Sequence, residues 1–219
     1  MAPLSAQLLG ARQLAEEDPS GPLKLRAFFG LPLPEAHRQA LDPYLQRCAR
    51  LAPDFRWTPA GNLHFTVRFL GRVERSLAED IARRLAADRR QGFELRLGDL
   101  GSFKRGRLAR VVWIGLSAGA AEIAGLADVV EAECVRVGLR AENRRFNAHL
   151  TLARVRPRDG APLPELGAPP ALDPWRADEL ILYRSVPGRG GSVYEPMQRI
   201  SLSRGLPPHT RGPARAGRR

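Results

Sequence analysis

Two hexapeptides in this 219-residue chain are near copies of one another. Asn62-Leu63-His64-Phe65-Thr66-Val67 and Asn147-Ala148-His149-Leu150-Thr151-Leu152 carry Asn, His and Thr at matching places, with an apolar residue after each His and each Thr. Imidazole can give or take a proton near neutral pH, because its unperturbed pKa is about 6.5. A reaction that removes one proton and delivers another needs two such groups, one starting neutral and one charged. The chain has four histidines, and two of them stand in the repeat. His37, on a helical stretch, and His209, near the C-terminus, share no such context and read as surface residues.

Strand geometry says what each copy presents. Side chains alternate between the two faces of a strand. Leu63, Phe65, Val67 and Phe69 therefore fall on an apolar face, and His64, Thr66 and Arg68 on the opposite one. In the second copy Leu150 and Leu152 face a core, while His149 and Thr151 point away from it. A His and a Thr two residues apart lie about 6.6 Å apart along a strand, enough for imidazole and hydroxyl to touch different parts of one bound phosphate. Arg68 is either an extra phosphate ligand or a solvent-facing residue at the strand end. Arg154 falls on the core-facing parity, so a bulge or the strand's end must redirect it.

The separation of 85 positions between the histidines leaves room for each strand to belong to its own half of the molecule. Around them the pattern predicts strands at Leu25–Leu31, Asn62–Leu70, Phe93–Leu100, Arg110–Leu116, Ala148–Val155, Glu179–Ser185 and Ser192–Leu202. Helical spacing covers Glu35–Ala52, with Ala36, Ala40, Leu41, Leu45 and Cys48 on the inner side. A second helix runs from an N-cap at Ser76 to about Arg90, and a third from Ala120 to Val137, ended by Gly138. Residues 104–107 (KRGR) and Pro187–Gly191 read as turns, and 157–174 as a long irregular connection. The order β-α-β-α-β-β-α-β-β-β, with hairpins interrupting any βαβ regularity, predicts an α+β fold with antiparallel sheets.

The net charge is +12, carried by 35 Lys and Arg against 23 Asp and Glu, and only Lys24 and Lys104 are lysines. Residues 1–22 hold Arg12 against Glu16, Glu17 and Asp18; residues 204–219 hold five arginines and no acid. Removing that −2 and +5 leaves +9 on the part between. Such an excess fits a polyanionic partner, and fits an arginine-rich solvated surface equally well. Residues 1–23 read as a disordered extension without the basic start of a signal peptide, and 204–219 as a disordered basic tail, around one domain at 24–203. No run is long enough to span a bilayer, so a cytoplasmic protein with no membrane partner is expected. Cys48 and Cys134 lie outside any CxxC and read as reduced, buried thiols.

The paired HxTx motifs, HFTV at 64–67 and HLTL at 149–152, resemble the signature of the two-histidine phosphoesterase superfamily. LRAFFGLPLP at 25–34, NLHFTVRFLG at 62–71, RVVWIGL at 110–116 and VYEPMQRISL at 193–202 are similar to the corresponding stretches of the RNA 2′,3′-cyclic phosphodiesterases, once named 2′-5′ RNA ligases. The resemblance spans about residues 24–203. It implies two α+β lobes related by a pseudo-twofold axis, with antiparallel sheets flanking a central cleft and helices outside. It implies hydrolysis of RNA 2′,3′-cyclic phosphate ends to 2′-phosphomonoesters, by a monomer with no cofactor and no metal. His64 would then protonate the departing 3′ oxygen and His149 would activate water, with Thr66 and Thr151 bonded to the phosphate. Phe28, Phe29 and Tyr194 are either base-stacking aromatics or core residues. Two other readings stay open: the same chemistry run backwards as a 2′-5′ RNA ligase, and a non-catalytic RNA-binding module, which would have no use for two titrating imidazoles.

Overall fold

Stretches that alternate fold as strands here, and stretches with helical spacing fold as helices. The computed structural model describes residues 23–156, 159–188 and 191–202. In chain order these form β1 (Lys24–Pro32), α1 (Glu35–Leu51), β2 (Phe55–Trp57), a 3₁₀ turn (Ala60–Asn62), β3 (His64–Glu74), α2 (Arg75–Ala87), β4 (Phe93–Arg105) and β5 (Leu108–Ala118). There follow α3 (Ala120–Arg136), β6 (Leu150–Val155), β7 (Trp175–Ala177), β8 (Glu179–Gly188) and β9 (Gly191–Ser201). The fold is α+β, as expected.

The nine strands form one antiparallel sheet in the order β7-β4-β5-β6-β3-β1-β8-β9, with β2 alongside β6. The two halves of the chain meet at the β3–β6 seam, which rests on the pair Phe65↔Leu150. Both residues are fully buried, and one apolar cluster joins them to Leu41 and Leu45 of α1, Ile81 of α2 and Ile123 and Val130 of α3. The three helices thus cover one face of the sheet and leave the other for the histidines. Burying a side chain such as Phe65 stabilises by roughly 1.5–3 kcal/mol, and this core is where most of that stabilisation is gathered.

Several expectations shift by a physical cause. On α1 the inner stripe is Leu41, Tyr44, Leu45 and Cys48, a clean i, i+3, i+4, i+7 set, while Ala36 and Ala40 are exposed. The second helix begins at Arg75, because β3 runs straight into it; Glu74 is the N-cap residue and Ser76 makes no cap. The three-residue strands β2 and β7 are too short to show a period of two. Gly138 ends α3 with φ +90°, and the amides of Gly138 and Leu139 return to the carbonyls of Val135 and Cys134. The basic turn between β4 and β5 is the two residues Gly106 and Arg107.

No helix among the described residues is long and apolar enough to cross a membrane. Cys48 and Cys134 are free and buried. All of the expected N-terminal extension but Leu23, the basic tail, and the tip of the last hairpin at 189–190 lie outside the described residues.

Candidate active site

The seam pair brings the two motifs together. Phe65 and Leu150 point into the core, so the residues on either side of them, His64 and Thr66, His149 and Thr151, project from the other face. An antiparallel pair has a local two-fold axis, which here exchanges one N-x-H-x-T copy for the other. In a regular ladder the two histidines become diagonal neighbours, with Cα atoms about 7–8 Å apart.

Each imidazole is fixed in the same way. Nδ1 of His64 lies 2.7 Å from the carbonyl oxygen of Asn62, and Nδ1 of His149 lies 2.7 Å from that of Asn147. A carbonyl only accepts, so Nδ1 carries the hydrogen in both rings and Nε2 is the atom left to titrate. Nε2 of His64 is 3.0 Å from the Thr66 hydroxyl. With His64 neutral, that hydroxyl donates to Nε2 and rests there until another acceptor arrives.

Aromatic rings wall both histidines. Around His64 stand Phe28 at 4.7 Å, Tyr194 at 4.9 Å and Tyr183 at 6.0 Å between ring centroids. Around His149 stand Phe103 at 5.0 Å and Trp113 at 6.4 Å. Removal from water is the main reason that the His64 pKa falls to about 4; the bond to Asn62 opposes the shift, and the charges of Arg154 and His149 add to it. His149 is lowered for the same first reason, with Arg154 again contributing. Arg154 therefore acts on both rings. Both imidazoles are neutral in the free protein at pH 7, and His64 is the harder of the two to protonate.

Bulges decide which neighbours join the site. Between β5 and β6 the register slips at Leu152, since Val112 pairs Ala153 and Trp113 pairs Thr151. Leu152 and Ala153 are both buried in consequence, and Arg154 turns outward to the His149 side. A similar slip between β1 and β3, where Gly30 pairs Thr66 and Phe29 pairs Arg68, reverses parity after Val67. Phe69 consequently comes to the site face, 51% exposed and 5.7 Å from Phe28, and not to the apolar face.

The same slip corrects the expectation for Arg68, which faces α3. Its Nε is ion-paired with Glu131, and its Nη2 donates to the Arg140 carbonyl at 2.8 Å. Glu131 also accepts from the Glu142 amide at 2.8 Å. Arg68 is thus a strut from the His64 strand to the segment that leads into His149. Of the two alternatives for Phe28, the structure takes the buried one. This residue is 1% exposed, boxed by His64, Tyr183, Tyr194 and Phe69, and so supports His64 without an open face for a base. Phe29 is wholly in the core, while Tyr194 remains half-buried at the rim. His37 bonds the Asp173 carbonyl and packs on Trp175.

Sequence reasoning missed the Asn62 and Asn147 carbonyls, Tyr183, Phe103, Trp113 and Gly30. A backbone carbonyl belongs to every residue, so no side-chain type announces it. Gly30 did leave a signal, a lone glycine within an apolar strand. A Cβ there would lie 3.0 Å from the Phe65 oxygen and 3.3 Å from Cδ2 of His64. Among the described residues no group of three or more His, Cys, Asp or Glu could hold a metal ion.

An antiparallel sheet whose central seam carries two symmetric His/Thr strands defines a two-histidine phosphoesterase, and the chain belongs to the LigT like Phosphoesterase family, which it matches over residues 31–113 and 114–194. The two matched stretches divide the chain into halves that each hold one motif. An RNA 2′,3′-cyclic phosphodiesterase of Escherichia coli (strain K12) is 30% identical over 179 residues, covering 81% of this chain and 97% of that protein. One from Aeropyrum pernix is 33% identical over 147 residues, covering 65% and 83%. The crystal structure of E. coli LigT complexed with 3′-AMP superposes with a TM-score of 0.71 at 30% identity, over 83% of this chain and all of that one.

Proposed function

We propose that this protein hydrolyses the 2′,3′-cyclic phosphate at the end of an RNA strand to a 2′-phosphomonoester, with His149 as base and His64 as acid. The observation that carries the reading is the Phe65↔Leu150 pair, which supports two Nδ1-anchored imidazoles on either side of one phosphorus. Relatives named RNA 2′,3′-cyclic phosphodiesterase over most of the chain support the substrate class.

The phosphate binds between the rings, with Arg154 balancing its charge and the Thr66 and Thr151 hydroxyls donating to the non-bridging oxygens. Nε2 of His149 removes a proton from water as the oxygen attacks phosphorus. The P–O3′ bond opposite the attack breaks, and Nε2–H of His64 gives its proton to O3′. One water is consumed, one P–O bond replaces another, and solvent returns the proton from His149 to His64. The acid role needs His64 protonated, against its low pKa in the free protein. The anionic substrate supplies the missing counter-charge and raises that pKa when it binds.

Both halves of the site come from one chain, so a monomer suffices, and two free buried cysteines suit the reducing cytoplasm. The test is an oligonucleotide ending in a 2′,3′-cyclic phosphate, incubated with EDTA, with and without a 5′-hydroxyl RNA. A 2′-phosphate product in both cases is expected. A dominant ligated product, or a 3′-phosphate, would overturn the proposal.

A further inference from the structure

A cavity of about 400 Å³, lined by neither histidine, adjoins the His64 side of the site and takes no part in the mechanism above. Its floor includes Pro32, Ile181 and Tyr183. All three belong to the His64 face: Pro32 pairs with His64, Ile181 pairs with Gly30, and the Tyr183 ring reaches within 6.0 Å of the imidazole. Tyr183 is therefore a wall common to both spaces, and it is held by stacking on Phe28 at 5.1 Å and 19°.

The cavity lies on the side of His64 away from His149. From β3 the sheet continues through β1 to β8 and β9. At the usual spacing of about 4.8 Å per strand, Tyr183 on β8 is roughly 10 Å and Arg199 on β9 roughly 14 Å from the His64 strand. That is about the reach of one further nucleotide along an RNA chain whose terminal phosphate sits at the histidines.

Charge narrows the occupant. Arg38, Arg176 and Arg199 line the cavity together with Glu35, Asp178 and Glu179. Arg199 is held by Glu179 through two contacts of 2.8 Å, and Arg38 is paired with Glu35. Three cations against three anions make a poor site for a phosphate. They suit a neutral, flat group that both donates and accepts. A nucleobase is such a group: carboxylates accept from its ring N–H and amino groups, guanidiniums donate to its carbonyls and ring nitrogens, and Tyr183 and Pro32 offer a flat floor.

Resting on the proposed cyclic phosphodiesterase reading, we infer that this cavity binds the base of the penultimate nucleotide, so that the protein selects RNA ends over free cyclic mononucleotides. The experiment compares kcat/KM for adenosine 2′,3′-cyclic phosphate with that for the four dinucleotides NpA ending in the same cyclic phosphate. At least one dinucleotide is expected to exceed the mononucleotide by on the order of tenfold or more, the scale of one base stacked and bonded. Arg199→Ala is expected to bring that ratio close to one. Asp178→Asn, at a carboxylate bonded to no side chain among the described residues, should reorder the preference among the four bases. Equal kcat/KM for mononucleotide and every dinucleotide would overturn the inference alone. So would a ratio untouched by both variants. Failure to cleave either kind of substrate would overturn the underlying reading and the inference with it.

Discussion

The low pKa of His64 has a consequence that can be measured without substrate. Its folded value is about 4 and its unfolded value 6.5. Between them the unfolded chain binds more protons than the folded one, so stability falls as the pH is lowered through that window. At pH 4.5 the difference in proton binding amounts to about 2.5 kcal/mol relative to pH 8. Carboxylates titrate in the same range; Glu142, for instance, is held down to about 2, first by its side-chain bond with Arg144. A comparison with His64→Gln separates the two effects, because the variant keeps every carboxylate and loses only the imidazole. Urea unfolding of both proteins at pH 8 and pH 4.5 should show the wild type losing about 2–3 kcal/mol more than the variant. Nitrogen NMR of the ring should report Nε2 titrating near 4 and Nδ1 protonated throughout. Equal losses in the two proteins, or an imidazole titrating near 6.5, would refute the argument that aromatic walls desolvate this ring.

Other outcomes follow from the same geometry. Thr66→Val and Thr151→Val should each lower kcat by tenfold to a hundredfold while leaving the melting temperature within a few degrees, read by steady-state kinetics and thermal unfolding. Arg68→Ala leaves Glu131 without its cation and frees the segment before His149; a loss of about 2–4 kcal/mol is expected, with kcat falling more than KM rises. Gly30→Ala drives a methyl against Cδ2 of His64 and the Phe65 oxygen, and should cost about 1–3 kcal/mol and most of the turnover. Chelation by EDTA should leave the rate unchanged, and a rate restored only by added divalent ions would contradict the account.

Much of this was legible in the residues. Alternation at 62–67 and 148–152 marked the strands, and the doubled His and Thr marked the chemistry. Phe65 and Leu150 could be assigned to a core because apolar residues keep a period of two on a half-buried strand. The period failed where the ladder slips. Arg68 and Phe69 follow the slip at Val67, and Arg154 follows the slip at Leu152; a bulge depends on the partner strand, which a local pattern does not contain. The partners of Arg68 were hidden for a similar reason, since Glu131 and the Arg140 carbonyl are 63 and 72 residues away. Phe28 looked like any core phenylalanine in an apolar run. Only the pairing of Gly30 with Thr66, and of Phe28 with Tyr183, shows that this side of β1 turns toward the histidines.

The proposed mechanism has two imidazoles acting on one phosphorus from opposite sides. Single-turnover cleavage of a cyclic-phosphate RNA by wild type, His64→Ala, His149→Ala and the double variant tests it most directly, with affinity for the 2′-phosphate product measured alongside. A loss of about 10²–10⁴ in rate is expected for each single variant, with little further loss in the double and product affinity within a few fold. Full turnover in either single variant would contradict it.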